Sequence, residues 1–313
     1  MLHVVLRRLA ISIPLIFVVT FLTFALNSLA PGDLARTMLG ADGTEAQYQA
    51  LRTQLGLDRP MIVQYGDWLL HALQGDLGTS FFTKESVVSL LNARLGVTLS
   101  IMVGVLVVCV SIGLMLGVAS ALRGGWVGRT IDALSLVGLI FPSFWVALVF
   151  ISVFAVALRW LPATGYTMFS ESPRLWALGL VLPVFSVALH SITSIAKQTR
   201  ASMNDVMGRD FIRSLRACGI PEWSVVWKHG LRNAALPVVT VLGLVMVGAI
   251  SGTVFVERVF VLPGLGSLAV GAALNNDIVL LQGATCYFAL LTVAINLLVD
   301  LSYGWLNPRV RIQ

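Results

Sequence analysis

The sequence predicts an all-α integral membrane protein with six transmembrane helices, a small external helical insertion and a cytoplasmic loop of two helices. Of its 313 residues, 57% are hydrophobic and only 12% are charged, whereas about a quarter of the residues of a soluble domain carry a charge. Mean hydropathy is +0.88. A soluble core of this size needs a charged shell, and the chain has too few charges to form one. The composition therefore places the chain in lipid.

Six apolar runs reach the length of about 20 residues that a helix needs to cross the hydrocarbon of a bilayer. They cover residues 9–29, 97–122, 131–158, 175–195, 236–256 and 279–302. Each run is expected to be helical, because lipid offers no partner to unpaired backbone groups. The first run is longer than the apolar part of a secretory signal, so we interpret it as a retained anchor.

The spans divide the chain into three parts. Residues 1–29 hold the N-terminus and the first span, and residues 30–94 form an extracytoplasmic helical segment. Residues 95–313 form the transmembrane core, which contains the cytoplasmic loop 196–235. Pro142 is expected to kink the third span, since proline removes a helical hydrogen bond.

Basic residues are distributed unevenly along the segments between the spans. With the N-terminus in the cytoplasm, the inside segments 1–8, 123–130, 196–235 and 303–313 hold 13 of the 21 Lys and Arg residues. Loops rich in these residues stay on the cytoplasmic side, so both termini are predicted to be cytoplasmic. The net charge of +6 then reflects topology and attraction to anionic membrane lipids, and we expect no nucleic acid partner.

The cysteines and histidines are too scattered to predict a chemical site. Cys109, Cys218 and Cys286 form no Cys-x-x-Cys pair, and the four histidines show no metal-ligand spacing. We therefore expect neither a disulfide framework nor a metal site, and interpret the cysteines as small apolar side chains.

The external segment is predicted to form a small helical cap. Residues 44–55 have helical spacing, and Asp58-Arg59-Pro60 begins a second helix, since proline suits the first helical turn. One face of that second helix is expected to carry Ile62, Tyr65, Leu69 and Leu73. The helix ends at a turn with the sequence Gly75-Asp76-Leu77-Gly78.

The loop 196–235 is predicted to contain two helices, 205–216 and 221–231. In the first helix, apolar side chains recur at a spacing of four, namely Met207, Phe211 and Leu215. Arginines occupy another face, namely Arg209, Arg213 and Arg216. This pattern is typical of an amphipathic helix with a cationic stripe.

Gly219 permits a sharp turn after the first loop helix, and Pro221-Glu222 begins the second. One face of the second helix is expected to carry Trp223, Val226, Trp227 and Gly230. Two short helices joined at a glycine can lie in the headgroup layer of the membrane, or they can insert as a rigid knob into a cleft on a cytoplasmic partner. Periodicity does not separate these two interpretations.

Two runs in this loop resemble the coupling loop of ABC-importer permeases. They are Asp210-Phe211-Ile212-Arg213-Ser214-Leu215-Arg216-Ala217-Cys218-Gly219 and Lys228-His229-Gly230-Leu231-Arg232-Asn233-Ala234-Ala235-Leu236-Pro237. The resemblance is to the dipeptide/oligopeptide/nickel branch, first-permease type. The general motif begins with Glu-Ala-Ala, where this sequence has Arg213-Ser214-Leu215, while Gly219 stands at the motif's glycine. That departure weakens the match to importers at large but not to this branch.

The resemblance extends over the whole chain through short motifs that are specific only in combination. In chain order they are Arg7-Arg8, Leu57-Asp58-Arg59-Pro60, Gly75-Asp76-Leu77-Gly78, Phe141-Pro142-Ser143-Phe144, Glu257-Arg258-Val259-Phe260, Pro263-Gly264-Leu265-Gly266 and Asn307-Pro308-Arg309-Val310.

The resemblance implies a bacterial inner-membrane complex with four kinds of component. This chain would pair with a second permease as a heterodimer, two cytoplasmic ATPase subunits would receive the loops, and an extracytoplasmic binding protein would deliver substrate. ATP and Mg would be bound by the partners, since none of Lys84, Lys197 and Lys228 follows glycine as a phosphate-binding loop requires. We therefore expect the chain to bind no cofactor and to catalyse no reaction.

Three groups of residues follow as candidate sites. Pathway candidates are Pro142, Ser143 and Asn296, although structural hydrogen bonding explains Asn296 equally well. Candidate contacts for the binding protein are Gly75, Asp76 and Gly78. Candidates for coupling to the ATPase are Asp210, Phe211, Arg213, Arg216, Ala217, Gly219, Trp223, Trp227, His229 and Arg232.

Other classes of membrane protein fit the sequence less well. An ion-coupled secondary transporter usually places ionisable residues at mid-membrane, and the predicted spans are nearly free of them. An intramembrane enzyme needs a nucleophile with a base, or metal ligands, and neither is visible. Within the importer branch, nickel, glutathione and peptides remain alternatives, and the absence of a Cys/His cluster in the spans favours peptides.

Overall fold

The computed structural model describes residues 2–29, 34–39, 44–123, 125–126, 128, 130 and 140–306. Regular structure in these ranges is helical, with one isolated bridge between Thr79 and Ser86. The helices are α1 Leu2–Leu29, α2 Leu34–Leu39, α3 Glu45–Gln54, α4 Met61–Leu73, α5 Val87–Arg123, α6 Ser143–Phe150, α7 Pro173–Met207, α8 Asp210–Ala217, α9 Glu222–Ser224, α10 Leu231–Val259, α11 Leu265–Leu274 and α12 Ile278–Leu306. π-helical turns extend α6 over Ile151–Ala157 and join α9 to α10 over Val225–Gly230.

Five helices of the described residues are long and apolar enough to cross a membrane. They are Leu6–Leu29, Val87–Arg123, Pro173–Met207, Glu222–Val259 and Ile278–Leu306. These helices confirm the all-α membrane class and five of the six predicted spans. The third predicted span is represented by the shorter apolar helix Ser143–Ala157; its residues 131–139, like the Asn307-Pro308-Arg309-Val310 motif, lie outside the described residues.

The helices extend further than the apolar runs. α7 continues to Met207, so the predicted start of the cytoplasmic loop at residue 196 lies inside a helix. α10 follows the π-helical turn without interruption, so the predicted end of the loop at residue 235 also lies inside a helix. The cytoplasmic bounds 196 and 235 stay a prediction. The helices are longer than the apolar runs because the length of an apolar run reflects only the thickness of hydrocarbon that is crossed. The hydrogen bonds of a helix continue beyond the hydrocarbon into the aqueous boundary.

The chain forms two compact units, and each contains segments that are distant in sequence. The first unit contains Met1–Leu6, Thr98–Leu262 and Ala294–Gln313. The second unit contains Arg7–Val97 and Pro263–Val293. The division predicted near residue 95 falls inside α5, which continues across it as one helix.

Close helix packing in the first unit depends on glycines of α5. A Cβ atom added to Gly113 would lie 2.8 Å from Cγ2 of Ile195, and one added to Gly117 would lie 2.5 Å from Cβ of Thr199. Small residues let membrane helices approach at this distance. α10 packs along α7 on another side, and the first unit thereby fixes the helices from which the loop extends.

The second unit contains the predicted external helices. α3 begins with a capping box in which Thr44 and Gln47 each bond the other's backbone, and α4 begins directly after Pro60. Both helices confirm the prediction for their segments. Below them, a core cluster joins α5, α11 and α12 through Leu77, Val87, Leu91, Leu265 and Leu280.

The predicted apolar face of α4 is wrong at Ile62 and Leu73, whereas Leu69 is half-buried. Tyr65 is buried, but Ile62 is 71% exposed and Leu73 is 77% exposed. Trp68 and Ala72 pack against the core cluster instead. The helix is rotated because Tyr65 inserts among three phenylalanine rings of α1 and its hydroxyl lies 2.9 Å from Thr20 Oγ1; the rings are those of Phe17, Phe21 and Phe24.

Candidate functional site

The loop begins with a sharp break after α7. Gly208 ends the helix, and Arg209 is extended, with φ −76° and ψ 151°. Asp210 then opens α8 with its carboxylate in the first turn, where a negative charge favours the helix N-terminus. The first loop helix therefore begins five residues later than the sequence predicts, because a glycine and an extended residue separate it from α7.

α8 is amphipathic, as predicted, but its apolar face is centred on Ile212 and not on the predicted Phe211. Ile212 is completely buried, whereas Phe211 is 37% exposed. The side chains of Asp210 and Arg213 are exposed and form an ion pair at 3.3 Å. The helix thus presents charges and one aromatic ring outward and an aliphatic side chain inward.

The turn after α8 is centred on Gly219 and is closed by an ion pair. Gly219 has φ +75°, a left-handed conformation that glycine adopts without a steric cost. Arg216 donates to both carboxylate oxygens of Glu222, with Nε–Oε2 at 3.0 Å and Nη2–Oε1 at 2.6 Å. The Glu222 carboxylate raises the pKa of Arg216. This bidentate pair holds the start of α9 against the end of α8.

The second loop helix differs from the predicted one in the face that it presents. Val225 and Val226 are buried, but Trp223 is 73% exposed. The reason is the π-helical turn Val225–Gly230, whose i→i+5 hydrogen bonds shift the register of side chains around the helix. A Cβ atom added to Gly230 would lie 3.2 Å from Sδ of Met207, so the backbone here packs tightly against α7.

A small core holds the loop on the ends of the long helices. Its buried members are Val118, Met203, Val206, Val226 and Ala234. They come from α5, α7, the π-helical turn and α10, so the second loop helix rests on three membrane helices. The loop is therefore a packed projection rather than a flexible connection.

Nine of the ten predicted coupling residues are exposed, and His229 is half-buried. Seven of the nine belong to α8, the turn and the start of α9, namely Asp210, Phe211, Arg213, Arg216, Ala217, Gly219 and Trp223. The other two, Trp227 and Arg232, line a cavity beside the membrane helices. The sequence pattern did not distinguish these locations, because the π-helical turn that separates them has no recognised sequence signature.

The pathway candidates lie at different places in the first unit. Pro142 does not kink a continuous helix; it is extended and immediately precedes α6. Ser143 begins α6 and lies against Gly252 of α10, where an added Cβ would be 3.4 Å from Ser143 Oγ. Asn296 is exposed on α12, and its amide makes no hydrogen bond within the described residues.

The predicted external turn has the expected form. Gly75 and Gly78 have φ of +86° and +87°, and Asp76 accepts a hydrogen bond from the Gly78 backbone at 2.8 Å. A Cβ atom on Gly78 would lie 2.9 Å from Cγ1 of Val279. Asp76 remains exposed, whereas Gly78 is required for packing within the second unit.

Two buried carboxyl groups were not singled out from the sequence. Glu257 is completely buried and accepts a hydrogen bond from Thr98 at 2.7 Å. Asp277 accepts one from Ser80 at 2.6 Å and caps the start of α12 through the Leu280 backbone. A carboxylate immediately before an apolar run signals such a cap, so Asp277 was detectable. From the sequence, Glu257 could be noted only as the first residue of the motif Glu257-Arg258-Val259-Phe260.

Comparison with known proteins identifies the family. The family described as binding-protein-dependent transport system inner membrane component matches residues 110–312. Its N-terminal counterpart matches residues 1–102. The chain belongs to this family. It is a permease subunit of an ABC importer and a multi-pass inner-membrane protein, which confirms the resemblance found in its loop.

Relatives of this permease match it over nearly the full length. A putative peptide transport system permease protein of Brucella abortus (strain 2308) is 40% identical over 308 residues, covering 98% of each chain. The oligopeptide transport system permease protein AppB of Bacillus subtilis (strain 168) is 38% identical over 312 residues, also covering 98% of each. Membership of this family implies ATPase and binding-protein partners in general.

The fold of the permease is also found in a solved structure. The chain resembles a structure of the MetNI methionine ABC transporter in inward-facing conformations, with a TM-score of 0.55 and 18% identity. The likeness covers 70% of this chain and 96% of that chain. At this identity it supports the helical permease fold alone.

Proposed function

We propose that this permease forms half of the translocation pathway of an importer of di- or oligopeptides. The observation that carries the substrate class is its full-length similarity to proteins named as peptide permeases. The second half of the pathway is a different permease, and an extracytoplasmic binding protein selects the peptide. The chain itself catalyses no reaction; ATP and Mg are bound by two cytoplasmic ATPase subunits.

We further propose that α8, the Gly219 turn and α9 dock into a cleft on one ATPase. The alternative location in the headgroup layer requires a free apolar face. Here Ile212, Val225 and Val226 are already covered by the permease itself. The outward face combines charges with Phe211 and Trp223, and aromatic residues and arginine are enriched at protein interfaces. This composition favours a protein cleft over lipid.

Docking at this loop places both termini in the cytoplasm and the 30–94 segment outside. The loop is suited to transmit movement because the Arg216–Glu222 pair joins its two helices and a small core packs the π-helical turn onto the membrane helices. A packed element that moves as one body couples the state of a partner to the helices that carry it.

The same orientation of the chain leads to proposals for the residues that line the pathway and for those that contact the binding protein. An exposed amide in a membrane helix is costly against lipid, so Asn296 is proposed to face the second permease or the pathway. Pro142 and Ser143 begin α6 at a break in the helix and are proposed to line the pathway as well. The turn of Gly75, Asp76 and Gly78, in which Gly75 and Asp76 are exposed and Gly78 is half-buried, is proposed to contact the binding protein.

Affinity purification in mild detergent tests the assembly. We expect a tagged chain to retain two ATPase subunits and a second, different permease. ATPase activity of that complex should rise with binding protein loaded with peptides, and not with binding protein loaded with nickel or glutathione. Transport by the purified chain alone, driven by an ion gradient, would contradict the proposal.

A further inference from the structure

A cavity of about 500 Å³ lies in the first unit, beside the base of the loop. Its walls come from α5, α7, the π-helical turn, α10 and α12. Among the residues that the structure describes, every lining residue except Arg232 is apolar or aromatic, and the walls include Val110, Leu114, Ile195, Leu242 and the two indoles of Trp227 and Trp305. The described walls of the cavity therefore combine a long apolar surface with one cationic side chain, that of Arg232.

No described carboxylate forms an ion pair with Arg232. Arg232 is exposed and makes no hydrogen bond or ion pair within the described part of the chain. The neighbouring Lys228 is also exposed. Guanidinium groups bind phosphate with two parallel hydrogen bonds, so the polar end of this cavity is suited to an anion that carries oxygen acceptors.

The two indoles indicate the depth of the cavity in the membrane. Trp227 lies in the π-helical turn at the base of the loop, and Trp305 lies in the last turn of α12. Tryptophan is enriched where hydrocarbon meets headgroups. With the orientation proposed above, this level is the cytoplasmic leaflet, whose anionic lipids attract basic residues.

We propose that this cavity binds an anionic phospholipid of the cytoplasmic leaflet. One acyl chain lies along the apolar wall formed by Val110, Leu114 and Leu242, and the phosphate is held by Arg232. An occupant without a long apolar part would leave that wall uncovered, whereas one without an anion would leave Arg232 unpaired. The inference rests on the proposed orientation of the chain and is independent of the proposed peptide substrate.

The bound lipid contacts the coupling loop directly, because Trp227 belongs to the π-helical turn that joins α9 to α10. The lipid thus contacts the loop at its base, through Trp227.

Native mass spectrometry of the purified importer complex tests this site. The complex is stripped of lipid and titrated with phosphatidylglycerol or with phosphatidylcholine of the same acyl chains. We expect phosphatidylglycerol to be retained at lower concentration than phosphatidylcholine. Arg232→Gln should weaken the retention of phosphatidylglycerol about fivefold, the effect typical of one basic residue at an anionic membrane surface, and should leave phosphatidylcholine unchanged.

Two further variants separate the charge from the cavity. Arg123→Gln removes an exposed charge at the end of α5, outside the cavity, and should leave lipid retention unchanged. Ala235→Trp keeps Arg232 but fills part of the cavity, since Ala235 lines it, and should weaken retention of both lipids. Thermal unfolding of each variant shows whether the fold is retained.

The results that would contradict the lipid site differ from those that would contradict the proposed function. Equal phosphatidylglycerol retention by Arg232→Gln and Arg123→Gln would overturn the lipid site. So would an absence of retention in the wild-type complex, which would show that the second permease covers the cavity. Displacement of the lipid by millimolar inorganic phosphate would identify a free-phosphate site instead. Each of these results leaves the copurification of ATPases and the response to peptides unaffected.

Discussion

Nη2 of Arg216 lies 2.6 Å from Oε1 of Glu222, so an ion pair closes the turn between the two loop helices. The pair joins the last turn of α8 to the first residue of α9, three residues on either side of Gly219. An exposed ion pair adds only about 0–1 kcal/mol to global stability. Its effect is therefore local: it fixes the angle between the helices that are proposed to enter the ATPase.

Glu222→Gln should reduce the coupling of ATP hydrolysis to transport without unfolding the permease. The amide cannot form the bidentate ion pair, and we expect transport per ATP hydrolysed to fall about two- to fivefold, consistent with the loss of roughly 1 kcal/mol at one exposed pair. Transport and ATPase rates are measured in the same vesicles. The exchanged pair Arg216→Glu with Glu222→Arg should recover part of the loss; no recovery would mean that the residues act separately.

Gly219→Val should uncouple the loop more severely. The left-handed conformation costs an L-residue about 1–2 kcal/mol and is worst for a β-branched one. Apart from its two chain neighbours, no described residue has an atom within 4 Å of a Cβ placed on Gly219, so the effect comes from the backbone conformation. Gly219→Asn is the matched control, since asparagine tolerates this conformation. Full transport with Gly219→Val would show that the turn has no role in coupling.

Gly117→Val should separate α5 from α7 and destabilise the permease by about 1–3 kcal/mol, as overpacked cores do. An added Cβ would lie 2.5 Å from Cβ of Thr199 and 2.7 Å from the backbone oxygen of Ala196, and backbone cannot move aside locally. Gly248→Val is the control, because no atom lies within 4 Å of its added Cβ. The midpoints of thermal unfolding of the two variants are compared in detergent. Equal midpoints would exclude the close contact between α5 and α7.

Thr98→Val should destabilise the first unit by about 1–3 kcal/mol, the usual effect of removing a partner from a buried polar group. Thr98 Oγ1 donates to the completely buried Glu257 at 2.7 Å. Thr292→Val is a suitable control, because within the described residues that hydroxyl bonds only the Phe288 backbone of its own helix. The midpoint of thermal unfolding should fall for Thr98→Val and change little for Thr292→Val. Similar shifts would indicate that Glu257 does not depend on Thr98.

The membrane class and the positions of most spans could be predicted because hydropathy reports directly on transfer into lipid. The ends of the helices could not be predicted in this way. Residues 196–207, for example, are polar enough to be interpreted as a loop, although their backbone continues the helix. The break that does end α7 comes at Gly208 and Arg209. Hydropathy carries no information on which residue ends a helix.

The turn at Gly219 and the amphipathic character of α8 could be predicted, but the arrangement of the loop's side chains could not. Local spacing identified Gly219 and the amphipathic α8. It misplaced the faces of α4 and the second loop helix, because the aromatic cluster around Tyr65 and the π-helical turn at Val225–Gly230 depend on contacts with distant segments. The cavity at Arg232 escaped notice for the same reason, since its walls come from five separate elements.

Docking of the loop on an ATPase can be measured through Cys218. This cysteine is exposed beside Gly219, whereas Cys109 is buried and Cys286 is partly buried. A photoreactive maleimide attached to Cys218 in the assembled importer marks whichever molecule lies against the turn. Cys218→Ser combined with Ser111→Cys moves the label to an exposed position of α5 and serves as the control.

On illumination, we expect the Cys218 probe to cross-link an ATPase subunit and the control probe to cross-link only lipid or the second permease. Cross-linking of Cys218 to lipid alone, with no ATPase adduct in the complete complex, would contradict the proposed coupling loop and return the two helices to the membrane surface.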